Sequence, residues 1–277
     1  MERKSSRLNL KLLTVILFCL YLIPKGLEAT PLKSNLTKEP QGQDLSKAPG
    51  EDKYIHKKFP SKNVDHSDPS IFAQPTEQTT LSPDVVEKNK RLFPGYNDME
   101  KIKKIHSWVK ENFEGYRGGG RMVAKQSAQQ IYDSRRLSGC NDWGLLQTAI
   151  LRSVGFPVVF MNAANINWAK EYKKNPANSR GFSGHTFLEI YVNQRWILMD
   201  STAGQYIEDY DFNDPVLHIH KKRGGYFVYQ KGLDQWNMGI RSIQDNEKIM
   251  KDFALNYPLE TILIQDKEIK RLVPLKK

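Results

Sequence analysis

Between Ser138 and Val154 the chain carries apolar residues at 143, 146, 150 and 154, and residues 145, 149 and 151 widen that stripe. A helix apolar over so much of its circumference must be enclosed by other elements; it cannot simply lie on a surface. Gly155 offers a left-handed stop and Pro157 forbids continuation, so the helix ends there. Residues 157–161, Pro-Val-Val-Phe-Met, then read as a strand. Cys140 stands at the start of this buried helix.

That cysteine is unusual in its setting. The chain has two cysteines, Cys19 and Cys140. Cys19 lies in an N-terminal stretch that reads as an export signal: Arg3, Lys4, Arg7 and Lys11 form a positive region, residues 12–23 form a short apolar run, Pro24 breaks it, and Ala29 offers a small residue for cleavage. The run is short for a membrane span, and an uncleaved anchor is the alternative. Cys19 follows Phe18, which argues against a lipoprotein site. The exported chain then holds one thiol in a compartment that usually oxidises thiols. Cys140 has no partner for an internal disulfide, so it is either a small buried hydrophobe or present for its chemistry.

Residues 30–92 read as a linker. Seven of the fourteen prolines lie between 30 and 90, no window there keeps a helical or strand period, and all five tryptophans come after residue 100. Such a stretch buries too little apolar surface to offset chain entropy. A domain over 93–260 and a charged tail over 261–277 follow. In the domain, apolar residues at 102, 105, 108, 109 and 113 mark one face of a helix, with Asp98 as its cap. Residues 115–120 form a glycine-rich loop without the Lys-Ser/Thr ending of a phosphate loop. Residues 127–132 read as a short helix, 162–184 as a polar surface loop, 225–230 as a strand and 245–253 as a helix.

Residues 185–192 and 195–202 read as two strands joined at Asn193-Gln194. A two-residue turn places Val192 opposite Arg195 and Phe187 opposite Asp200. His185, Phe187, Glu189 and Tyr191 then share a face with Trp196, Leu198 and Asp200, while Leu188, Ile190, Val192, Ile197 and Met199 form a core face. His185 and Asp200 become diagonal neighbours within side-chain reach. A three-residue turn would put them on opposite faces.

These residue types permit thiol chemistry. A cysteine at a helix N-terminus feels the positive end of the dipole, which favours thiolate. A histidine completes an ion pair and later protonates a leaving group. A carboxylate on the second ring nitrogen fixes the tautomer. The Cys140 backbone N–H is a candidate oxyanion donor; Trp143 and Gln126 are weaker candidates for a second. Each element also has an ordinary structural reading: His185 as a satisfied strand residue, and Asp200 as a turn cap before Ser201-Thr202. The joint arrangement is the specific signal.

At these residues the chain resembles the transglutaminase-like superfamily, especially its short exported bacterial members. The motifs are Leu-Ser-Gly-Cys140-Asn-Asp-Trp-Gly-Leu-Leu, Ile-Leu-Arg-Ser-Val-Gly-Phe-Pro157, Gly-His185-Thr-Phe-Leu-Glu-Ile-Tyr and Trp-Ile-Leu-Met-Asp200-Ser-Thr, within roughly residues 95–215. Thr186-Phe187 stands where the family often has Ala-Trp, and Ser201 where it often has proline. The resemblance implies an α+β papain-like core with the nucleophile helix packed on an antiparallel sheet, a catalytic triad of Cys140, His185 and Asp200, and acyl transfer through a thioester with no metal or other cofactor.

Other residues carry structural expectations. His218 and His220 alternate on an extended stretch without a third ligand nearby, which favours surface histidines over a metal site. His106, beside Lys103 and Lys104, reads as solvated, and His56 and His66 as linker residues. Asp142 braces the first helical turn. The net charge of +11 is spread without one basic run, and no RNA motif or zinc-finger spacing accompanies it, so no nucleic-acid partner is expected. The expected partner is a protein or peptide substrate, with an envelope setting as one option, and membrane contact only through an uncleaved N-terminal segment. A cysteine protease or peptidase of the same fold and a catalytically inactive envelope-binding module stand as the alternatives.

Overall fold

The computed structural model describes residues 64–94, 98–115, 119–177 and 183–272; the export segment and residues 30–63 fall outside them. Six helices are α1 (Pro83–Leu92), α2 (Asp98–Asn112), α3 (Ala128–Ser134), α4 (Cys140–Ser153), α5 (Ile166–Lys174) and α6 (Ile243–Asn256). Strands β1 (Glu114–Gly115) and β2 (Arg136–Leu137) make a small parallel pair. The main sheet contains β3 (Val158–Asn165), β4 (Gly184–Val192), β5 (Arg195–Asp200), β6 (Gln205–Ile207), β7 (Val216–Leu217), β8 (Tyr226–Gly232) and β9 (Lys270–Arg271). Its order is β7-β8-β3-β4-β5-β6-β9, and every pair is antiparallel. This is the α+β, papain-like architecture.

Helix α4 is enclosed as its stripe requires: Gly144 to Arg152 are all buried. Gly155 follows at φ 96, where a side chain is disfavoured. Leu145, Leu146 and Ile150 pack with Leu188, Ile190, Val192, Ile197 and Met199 in one core, the sheet face anticipated for it. The hairpin β4–β5 has the expected two-residue turn. Asn193 and Gln194 take φ values of 50 and 61, as a primed turn demands, and Val192 pairs with Arg195 and Leu188 with Met199. The opposite face is also covered: Phe187, Trp196 and Leu198 pack with Phe72, Ile219 and Val228.

Phe72 corrects the linker reading for residues 64–92. Pro69–Ala73 forms a 3-10 turn with Phe72 buried, and α1 follows, with Leu81 and Phe93 in the α4-side core. The segment is fastened mostly by polar bonds, which leave no period to read. The Gln78 carbonyl accepts from Ala128 N–H at 2.8 Å, and its side chain donates to the Gln126 carbonyl at 3.2 Å and accepts from Trp236 N–H at 3.1 Å. His66, also read as linker, lies 2.7 Å from the Glu189 carboxylate and stacks on Phe212.

Two further expectations change. The stretch 162–184 is not all loop. β3 runs to Asn165, whose side chain accepts from Trp168 N–H and caps α5; Ile166, Trp168 and Ala169 then pack with Phe227, Met250 and Tyr257. In the tail, Lys270–Arg271 extends the sheet beside β6 and Leu272 is buried. Phe72→Ala is expected to lower unfolding free energy by about 3 kcal/mol, the usual cost of emptying a buried aromatic site. Urea unfolding of the two proteins measures it, and coincident midpoints would show the 64–81 segment to be dispensable.

Candidate active site

The antiparallel order brings four strand ends together. β3 and β5 finish where β4 and β8 begin, since Ala163 pairs with His185 and Asn165 with Tyr226. The N-terminus of α4 meets this end of the sheet. Cys140 lies there in a cavity of about 260 Å³, lined also by Ser138, Asn141, Asn162, His185 and Thr186.

Asp142 secures the approach to the thiol. Its carboxylate accepts from Ser138 N–H at 2.8 Å and from the Ser138 hydroxyl at 2.7 Å, bracing the first turn as anticipated. Burial pushes the Asp142 carboxyl up, and the Ser138 bonds only partly oppose it. On the sheet side, the Thr186 hydroxyl donates to Asn141 Oδ1 at 2.8 Å, and Gln235 Nε2 donates to the same oxygen at 2.7 Å. The residue after Cys140 is thereby held from two sides.

His185 lies between Cys140 and Asp200 in this site. Its Nε2 is 3.0 Å from Asp200 Oδ2, and it lines the cavity together with Cys140, close enough for its charge to act on the thiol. Burial pushes the thiol up, but His185 beside it, above all, and the Thr186 backbone leave it below its ordinary value. Burial pulls the imidazole down; Asp200 and Cys140 outweigh this and raise it to about 10. Burial also opposes ionisation of Asp200, yet bonds from His185, His220 and the Ala203 backbone hold it well below the carboxylate range. An ionised carboxylate only accepts. His185 therefore carries a proton on Nε2, and Nδ1 is the nitrogen that serves the sulfur.

The Asp200 setting holds more than the sequence reading found. Oδ1 accepts from Thr202 N–H at 3.0 Å and Ala203 N–H at 2.9 Å, so Asp200 caps the turn as its structural reading expected, while its other oxygen faces His185. Oδ2 also contacts His220 Nε2 at 2.7 Å. His220 is not a surface histidine, and nor is His218, which bonds to Asp214 at 3.1 Å and accepts from Gln265 N–H at 3.2 Å. His106 is 2 % exposed and faces Gln147 at 3.2 Å, contrary to its solvated reading; its apolar position on α2 outweighs the flanking lysines. Gln126 and Trp143 do not line the cavity. His56 lies outside the described residues. Among the described residues, no three or more His, Cys, Asp or Glu side chains are grouped to hold a metal ion, and no helix is long and apolar enough to cross a membrane.

Comparison with known proteins agrees with this core. A family model described as the Transglutaminase-like superfamily matches residues 88–201. Over those residues the chain is similar to that superfamily. The matched span takes in Cys140, His185 and Asp200 and stops short of His220. Among solved structures, a candidate cysteine protease from Cytophaga hutchinsonii aligns at 21% identity and a TM-score of 0.44, over 64% of this chain and 51% of the other. This chain thus spans about half the length of that protein. No curated protein matches it.

The electrostatics give two expected outcomes. Iodoacetamide should alkylate Cys140 with a pH midpoint below the usual thiol value of about 8.5, and His185→Ala should return the midpoint to that value or above. An unchanged midpoint in the variant would separate the imidazole from the thiol. Stability should follow the imidazole. A folded value raised to about 10 from 6.5 contributes stability that is full below about pH 6.5 and is lost as pH rises through 10. In urea titrations, the advantage of the native protein over His185→Gln should shrink across that window.

Proposed function

We propose that the protein is an exported thiol-dependent acyl-transfer enzyme acting on amide or peptide bonds. The observation that carries this reading is one imidazole hydrogen-bonded to an ionised carboxylate and lining the same cavity as a thiol whose pKa it lowers. The reaction follows from that arrangement. The Cys140 thiolate adds to an amide carbonyl, and the oxyanion forms near the first backbone N–H groups of α4, which have no intrahelical acceptor. His185 gives its Nδ1 proton to the leaving nitrogen, the C–N bond breaks, and a thioester with Cys140 remains. An amine or water then attacks the thioester, His185 takes the proton, and the thiolate is released. Asp200 keeps the Nε2 proton in place throughout. Export is supported by the positive region at 3–11 followed by the apolar run at 12–23.

The acceptor decides between transferase and hydrolase. Incubation with N,N-dimethylated casein and a fluorescent primary amine should give covalent labelling of the casein, reduced at least about a thousandfold in Cys140→Ala. Release of ammonia or peptide fragments without labelling would assign the hydrolytic alternative. Neither product, together with an ordinary unreactive Cys140, would leave a binding module.

A further inference from the structure

One carboxylate oxygen in this site serves two imidazoles. Asp200 Oδ2 lies 3.0 Å from His185 Nε2 and 2.7 Å from His220 Nε2. The two rings stand nearly perpendicular with centroids 6.4 Å apart, and the Tyr226 ring packs near both, at 5.6 and 6.0 Å. His220 reaches this place from the segment between β7 and β8, in a left-handed conformation with φ 55 and ψ 41. That backbone is uncommon for a residue with a side chain and is kept only where the surroundings fix it.

Asp200 does not need His220 for its orientation. Oδ1 already accepts two backbone N–H groups, from Thr202 and Ala203, and these belong to the same tight turn. The added donor falls on the other oxygen, the one that holds His185. A carboxylate oxygen shared between two N–H donors is a weaker acceptor for each than one serving a single donor, because the first bond withdraws part of the charge that attracts the second. His185 must keep its proton beside the thiolate and later surrender it to a leaving nitrogen. Too firm a grip by Asp200 retards the second task.

We propose that His220 is a positioning residue that shares Asp200 with His185 and weakens the hold of the carboxylate on the His185 proton. The inference rests on the reading of Cys140 and His185 as the reacting pair. The titratable groups facing His220 are Asp200 on β5, His185 on β4 and Tyr226 on β8. On its own turn, exposed Lys221, Lys222 and Arg223 follow, with Lys221 paired to Asp266.

The test is titration of His185 in the full chain carrying ring-labelled histidine, with its signal assigned by loss in His185→Gln. The native midpoint is expected near 10. His220→Phe removes the donor and keeps a ring in the space; it should raise the midpoint by about half a pH unit or more. His220→Gln keeps an N–H donor and should stay closer to the native value than the phenylalanine variant. If the phenylalanine protein does not fold, His220→Ala removes the donor and is read the same way. An unmoved midpoint in the donor-less variants, whatever their melting temperature, overturns the proposal, because a packing role alone leaves the titration in place. A lowered midpoint overturns it too, by showing that His220 serves to orient Asp200. A native His185 in the ordinary imidazole range with an unreactive Cys140 would instead overturn the acyl-transfer reading. An elevated native midpoint unmoved by His220→Phe removes only the role given to His220.

Discussion

The close contact between α4 and the sheet at Gly144 sets the rest of this site. A Cβ built there would lie 2.6 Å from Thr186 Cγ2 and 3.2 Å from the Phe160 ring, nearer than packed side chains allow. Only glycine lets the helix approach β3 and β4 this closely. Cys140 is one turn earlier on the same helix, so the separation fixed at Gly144 also fixes how deeply the thiol sits among Thr186 and His185. Protein interiors transmit such displacements because they are packed without slack. The thiol chemistry therefore depends on a helix–sheet distance set four residues away.

Two groups of buried charge beside the site are held by specific polar partners. On one face Glu189 is fully buried and takes Lys231 Nζ at 2.5 Å, the Tyr210 hydroxyl at 2.6 Å and His66 at 2.7 Å. Burial opposes its ionisation, and Lys231 and His66 restore it. The other buried cation, Arg152 near the end of α4, donates to the Val158 and Leu233 carbonyls at 2.7 and 2.8 Å. Desolvation lowers its guanidinium to about 10. An unpaired charge in either place would cost several kcal/mol. These bonds tie the 64–81 segment, β8 and the end of α4 to the strands that carry the site. They make one rigid frame of segments far apart in sequence.

What could be read from sequence had short-range logic. The helix over 140–153 follows from its apolar stripe and Gly155 stop, and the β4–β5 register follows from a two-residue turn. Together they forecast the meeting of His185 and Asp200, which the structure places 3.0 Å apart. The parts that were missed lack such logic. The 64–92 segment carries isolated anchors, Phe72, Leu81 and Phe93, among polar residues whose bonds go to partners as distant as Trp236. Helix α5 is announced only by its cap, Asn165, inside a polar run. His106 shows that neighbours in sequence do not report neighbours in space: Lys104 is exposed and Lys103 reaches over the Tyr206 ring, while the His106 ring faces Gln147. The readable clue there was its place one residue after Ile105 on the buried stripe.

His220 was legible in principle, though not from spacing. Antiparallel order requires that the start of β8 lie at the same end of the sheet as the start of β4 and the end of β5. Any residue in the turn leading into β8 is then a candidate neighbour of His185 and Asp200. The segment between Leu217 and Tyr226 holds two histidines two residues apart, which a regular extended stretch would point the same way; His220 instead takes a left-handed backbone. One turns to Asp214 and the other to Asp200. The family match ends at residue 201, before the chain returns with His220. The matched span holds Cys140, His185 and Asp200; the second imidazole on Asp200 comes from a part of the sheet that completes itself later in the chain.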